Sequence, residues 1–340
     1  MSTEADNVRK WDGVARPAYE VWYLTFNHRA SKTGYWICYT LDAPVAGEAF
    51  AQVWFAHFDA GDPQRNFAIR RTVPIGEMSA EARPFSVRIG DAELRHDAAR
   101  GSISGAGHEA SWDLRWTPSP RTHRTAPPVM YLAPGLAETL VVGPNLNVPM
   151  TGKVVVDGAT FEADGEPGQQ SHLWGRGHAH AWAWGHCNAF EGRPGAVLET
   201  LTARLERRGI VTPPMTALTL YLDGARYRWN TFAHTLLTRA DIDTTRYRFR
   251  AWRPDVRVEG EFQCRPQDMV AAEYFDPRCV APSWCHNTEV ADLTVTVWKR
   301  GGLFAPWREA ARLVAPRTGH FEVGGLLRDP AVEWEHRGVH

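Results

Sequence analysis

Apolar and polar positions alternate with a period of two along most of this chain, the pattern of strands that bury one face. Residues 218–222 and 225–229 flank Asp223-Gly224, which predicts a strand, a two-residue turn and a returning strand. Residues 154–156 and 159–162 repeat the device around Asp157-Gly158, and 85–89 and 92–95 repeat it around Gly90-Asp91. Further strands are expected at 49–58, 67–73, 110–116, 247–252, 256–262 and 293–298. Helical candidates are few. Residues 196–207 suit a strand as well, and a short helix is expected near 306–313. Many short strands with few helices predict an all-β chain built as a barrel or sandwich.

One alternation carries chemistry. From residue 171 to 190 the even positions read His172, Trp174, Arg176, His178, His180, Trp182, Trp184, His186, Asn188 and Phe190. The odd positions are mostly Gly and Ala. An extended segment would gather the imidazoles and indoles on one face, and the other face would let a second layer of backbone approach closely. A weak duplication accompanies it. The run Glu20-Val21-Trp22-Tyr23, a polar turn and a strand at 35–41 are echoed by Trp182-Ala183-Trp184, a turn and a strand at 197–205.

Length sharpens this picture. At 340 residues the chain suits two units, and we place the boundary near residue 150, giving β-domains at 1–150 and 151–340. Net charge is −1 with no long run of one sign, which argues against a nucleic-acid partner or an electrostatic lipid footprint. No apolar run reaches the roughly 18 residues of a membrane span, and the N-terminal residues lack a signal-peptide core. Five widely spaced cysteines without a C-x-x-C fit reduced thiols, so the cytoplasm is the expected compartment. Fifteen tryptophans are the compositional outlier: indoles in this number fill cores or line apolar pockets.

His172, His178, His180 and His186 raise the question of a metal. Arg176 shares their face and the nearest carboxylates lie outside the segment, so histidines hydrogen-bonded within an aromatic interior are the better reading, and no metal is expected. Glu20, beside Trp22 and Tyr23, would be desolvated on an aromatic face and so could donate a proton; the alternative is a solvated or Arg16-paired glutamate. No G-x-S-x-G, P-loop or dinucleotide signature is present.

Three elements resemble a family. Residues 17–23 (Pro-Ala-Tyr-Glu-Val-Trp-Tyr), followed by 34–41, are similar to the Phe-Glu-Gly-Trp-Tyr opening of tocopherol cyclases, with Val21 where that family has Gly. His172-x-Trp174-Gly175 and Trp182-x-Trp184 resemble a central region of the same enzymes and the His-x-Trp element of carotenoid 1,2-hydratases. Phe321-Glu322-Val323-Gly324-Gly325 resembles their Leu-Glu-Val-Gly-Gly. The resemblance implies a calycin-like architecture of two lipocalin-like β-barrel units enclosing an apolar cavity. It also implies cofactor-independent chemistry on isoprenoid-type molecules: an alkene is protonated, and a phenol oxygen or water captures the cation.

The resulting expectation is a cyclase, hydratase or isomerase, with His172 or Glu20 as the proton donor. Trp22, Tyr23, Trp174, Trp182 and Trp184, with His178, His180 and His186, would line the substrate site. The expected partner is a hydrophobic small molecule or lipid, with transient contact with a membrane surface. A non-catalytic lipid or pigment carrier is the rival from another class.

Overall fold

The structure, a computed structural model, describes residues 3–132, 137–207, 209–302, 304–325 and 327–332. Strands dominate it, and the only α-helices among the described residues are two short ones, α1 (Pro128–Leu132) and α2 (Phe232–Leu237). The strands form a twelve-stranded sheet, a ten-stranded sheet and a two-stranded ribbon. One sheet curls nearly to closure and the other makes about half a barrel, so the chain is two β-units, as the alternation implied.

The three hairpins read from the sequence are all present. In two of them the Asp-Gly turn has both residues at positive φ, at Asp157-Gly158 and Asp223-Gly224, the conformation that matches the twist of a tight hairpin. Residues 196–207 contain the strand Val197–Arg204. The helix expected near 306–313 is absent: these residues begin the long strand Arg308–Gly325, paired with Ser283–Lys299. Glu309, Ala310 and Ala311 favour helices locally, but alternate burial of Leu313 and Ala315 in the second core decides the conformation.

Residue 150 lies inside Thr139–Val156, and both this strand and Ala159–Gly175 pair within the first sheet. The chain passes to the second sheet only between Gly175 and Ala181. Each unit has its own filled interior. Trp22, Leu24 and Phe26 pack with Tyr39, Phe55 and Trp112 in the first, while Tyr247, Phe249, Phe262 and Phe321 pack in the second. A third buried cluster, including Tyr23, Trp36, Trp54, Trp184 and Cys285, lies where the two sheets face each other. Strands Ala18–His28 and Thr33–Ala43 are therefore covered on both faces, which is why they read as near-continuous apolar runs.

Candidate active site

The cavity lies between the two sheets rather than inside either unit, and measures about 280 Å³. The first sheet lines it with the faces turned away from its own core: Tyr19, Val21 and Tyr23 from one strand, Cys38, Thr40 and Asp42 from the next, and Trp54 beyond. From the second sheet come Trp182, Trp184, Leu201, Ala203 and Glu322. His178 and Tyr274 complete the wall, and residues of both α1 and α2 border the mouth.

The wall is aromatic and its rings are locked. Trp184 meets Tyr23 edge-on at 5.6 Å between centroids, and Trp182 stacks on Tyr274 at 6.4 Å with 9° between planes. Trp54 bridges Trp36 and Tyr274 in two edge-on contacts. Trp182 opposes Gly324 across the ladder, and a Cβ there would lie 1.9 Å from its Cζ2, so only glycine lets the indole lie flat. On the opposite face of the same strand Gly185 admits Phe262 of the second core, whose ring a Cβ would meet at 2.4 Å. At Gly185 the small odd position thus admits a side chain of the second core where the alternation suggested a layer of backbone.

Into this apolar space project three groups that can hold or move a proton. Burial raises the Glu322 carboxyl to about 7, against the opposing effect of hydrogen bonds from Trp182 and Cys285. The Trp182 indole N–H donates to Glu322 Oε1 at 2.5 Å. Burial, reinforced by the negative charge of Asp276, lifts Asp42 to about 8, and among the described residues no cation is paired with it. His178 is pushed down to about 4 by burial and so is a neutral imidazole at pH 7, stacked on Tyr19 at 4.8 Å. Its backbone N–H is held by Asp276, which Arg278 clamps with two hydrogen bonds. A carboxyl that is protonated below about pH 7 and a neutral imidazole thus share one cavity, an arrangement that can give and take a proton in that range.

The twenty-residue alternation does not form one face. Its strand stops at Gly175, residues 176–180 turn, and a new strand starts at Ala181 in the other sheet. Before the break His172 packs against the first unit; after it Trp182 and Trp184 face the cavity. Tyr23, His178, Trp182 and Trp184 are in the cavity wall. Glu20, Trp22, His172 and Trp174 lie elsewhere, beneath the N-terminal segment. His172 stacks on Trp22 at 4.8 Å, its Nε2 is 3.4 Å from Glu20 Oε2, and its Nδ1 is bonded to the Asp6 carbonyl at 2.8 Å. Glu20 Oε1 accepts from the backbone N–H groups of Lys10 and Trp11, and the Trp22 indole donates to the Asn7 carbonyl. Lys10 lies over the Trp174 ring. This group ties the N-terminal residues to the first unit.

The remaining two histidines bracket the wall. His180 pairs with Glu206 at 3.1 Å near the rim. His186 lies behind Trp184, fully buried: its Nδ1 is 3.0 Å from Glu199 Oε2, whose other oxygen accepts the Trp184 indole N–H at 2.9 Å. The row continues through His320 to Glu289, which burial holds neutral by raising the carboxyl and lowering the imidazole to about 3. Among the described residues no three His, Cys, Asp or Glu side chains are grouped as a metal site.

Sequence reasoning passed over Glu322 and Asp42. Phe321 and Val323 pack in the second core, so period-two parity puts Glu322 on the other face, inside a motif already singled out. Likewise Ile37 and Tyr39 pack in the first core while Thr40 and Asp42 line the cavity. What parity could not disclose is that this other face meets a second sheet instead of water.

Comparisons with known proteins agree with this architecture. Two uncharacterized proteins from strains of Mycobacterium tuberculosis are each 26% identical over 331 residues, covering 95% of this chain and 90% of theirs. Among solved structures, the fold is similar to that of a putative AttH from Nitrosomonas europaea, with a TM-score of 0.56 and 12% identity over 94% of this chain and 99% of the other. It is also similar to kievitone hydratase from Nectria haematococca, with a TM-score of 0.55 and 9% identity over 96% and 95%. Residues 94–325, which include Trp182, Trp184 and Glu322, match the profile described as tocopherol cyclase-like, and the chain belongs to that family.

Proposed function

We propose that this protein is a cyclase or hydratase that protonates an alkene of a hydrophobic, isoprenoid-type substrate in the cavity between its two sheets. One observation carries the reading: a buried carboxyl group raised to about 7, Glu322, is set in a wall of indoles and phenols. In the proposed step the Glu322 O–H adds its proton to the less substituted alkene carbon, leaving a cation on the other carbon and a carboxylate on the enzyme. The Trp182 N–H and Cys285 S–H steady that carboxylate. The faces of Trp182, Trp184 and Tyr274 attract the cation, by about 0.5–2 kcal/mol each. Capture by a substrate phenol oxygen gives a ring and capture by water gives an alcohol. The proton lost from the captured oxygen passes to the Glu322 carboxylate or to neutral His178, and the net reaction needs no oxidant or reductant. Asp42 is the second candidate acid. Glu20 and His172, the acids expected from sequence, face each other at 3.4 Å beneath the N-terminal segment and do not line this cavity.

The test is turnover of a panel of prenylated phenols and acyclic polyenes in D2O, followed by mass spectrometry. A product carrying one non-exchangeable deuterium supports alkene protonation. A hydrophobic molecule that copurifies and is never converted supports the carrier reading instead.

A further inference from the structure

The mouth of the cavity is ringed by apolar side chains that point into solvent. Leu132 on α1 is 83% exposed, Ile210 on the ribbon strand Ile210–Val211 73%, and Leu236 and Leu237 on α2 59% and 56%. Each of these segments also contributes to or adjoins the lining: α1 through Met130, the ribbon region through Leu205 and Met215, and α2 through Thr235 and Phe232. Phe232 both lines the cavity and is half-exposed, so an apolar side chain reaches from the interior to the exterior. Scattered surface leucines are ordinary, but a group of them continuous with an apolar cavity marks an interaction site.

Charge identifies the partner. The described residues of 121–132, 204–207, 209–212 and 226–239 together hold seven arginines and one glutamate, in a chain with 38 basic and 39 acidic residues. The near-zero net charge therefore hides a local excess of cations around the mouth. Arg124 is taken up by Asp6 and Arg207 by Glu138, but exposed Arg204, Arg226 and Arg239 have no acidic partner within reach among the described residues. Exposed leucines flanked by guanidinium groups match a bilayer surface that offers acyl chains beneath anionic headgroups.

We propose that the face formed by α1, the ribbon strands Glu206–Arg207 and Ile210–Val211, and α2 docks on an anionic lipid surface and lets a hydrophobic ligand enter the cavity without crossing water. The inference takes from the proposed function only that the ligand is hydrophobic. It is tested without substrate, so vesicle binding and turnover can fail separately. The full chain is floated with vesicles of phosphatidylcholine alone, or of phosphatidylcholine mixed with phosphatidylglycerol. Flotation is expected with the mixed vesicles, weakened by high salt, and reduced about tenfold by the paired exposed changes Leu236→Glu and Leu237→Glu. Arg226→Glu, at an exposed residue with no acidic partner among the described residues, is expected to weaken binding to the mixed vesicles alone. Flotation that ignores phosphatidylglycerol and both variants would overturn the proposal. So would a stable dimer that Leu236→Glu and Leu237→Glu convert to monomer, because the face would then belong to a second copy of the chain.

Discussion

The interior of the first unit and the cavity between the sheets contain the same residue types in opposite states. In the first, His172, Glu20, Trp22 and Trp174 are packed against one another and against the backbone of residues 6–11, with hydrogen bonds or close ionic contacts along most of their polar edges. In the second, Trp182, Trp184, His178 and Glu322 surround an open volume. Histidine, glutamate and tryptophan in sequence proximity thus do not define a site. What separates structure from candidate chemistry here is whether the side chain borders an open volume.

The strongest way to break this contrast is to neutralise one acid from each region. Glu322→Gln is expected to lower turnover by about 10²–10⁴-fold while leaving the fold intact, since it replaces a neutral acid with a neutral amide of the same shape. Glu20→Gln is expected to leave turnover of the folded enzyme unchanged. Gly324→Ala comes next. Its Cβ would overlap the Trp182 indole, so that ring must leave its stacked position, with a loss of about 10²-fold in rate from a displacement near 1 Å. His172→Ala should act on stability instead, costing about 3 kcal/mol in urea unfolding by leaving Glu20 buried without its partner.

The pH dependence sharpens the same comparison. Glu322 is an acid only while protonated, so turnover should fall above about pH 7, roughly tenfold per unit. Stability should move in the same sense. Asp42 and Glu322 have native values of about 8 and about 7, above their ordinary values of 3.8 and 4.5, so the native state holds more protons than the unfolded chain between those limits. Their contribution is complete below the ordinary values and is lost as pH rises through about 7 to 8. His178 works the other way: its value is depressed to about 4, so its contribution is present above 6.5 and lost as pH falls toward 4. Urea titrations across pH should show both slopes. The smallest effect is expected from Trp182→Phe. Loss of the indole hydrogen bond removes an influence that lowers the Glu322 value, moving the alkaline limb of the rate profile upward by about one unit.

Much of the fold was legible because its signals are local. Asp157-Gly158 and Asp223-Gly224 adopt the positive φ angles that tight hairpins need, and the alternation around them sets which face is buried. The repeated meander is also present: Ala18–His28 pairs with Thr33–Ala43 in one sheet, and Ala181–Cys187 with Val197–Arg204 in the other. The site was legible only in part, because its decisive features are not local. The break at residues 176–180 moves the chain from one sheet to the other, so parity counted through it assigns His172 and Trp182 to one face when they occupy two. In the first repeat Trp22 points into its own core, and it is the neighbouring Tyr23 that meets Trp184. Glu322 is visible in the sequence only as a motif residue, and its place in the cavity wall depends on the first sheet facing the second.

The central claim is that proton transfer occurs between the sheets and not inside the first unit. The most direct measurement compares deuterium incorporation into product, in D2O at pH 6, by the wild type, Glu322→Gln and Glu20→Gln, each confirmed folded by circular dichroism. The account predicts one deuterium per product for the wild type and Glu20→Gln, with incorporation by Glu322→Gln reduced by at least about 10²-fold. Undiminished incorporation by Glu322→Gln, with loss in folded Glu20→Gln, would contradict it.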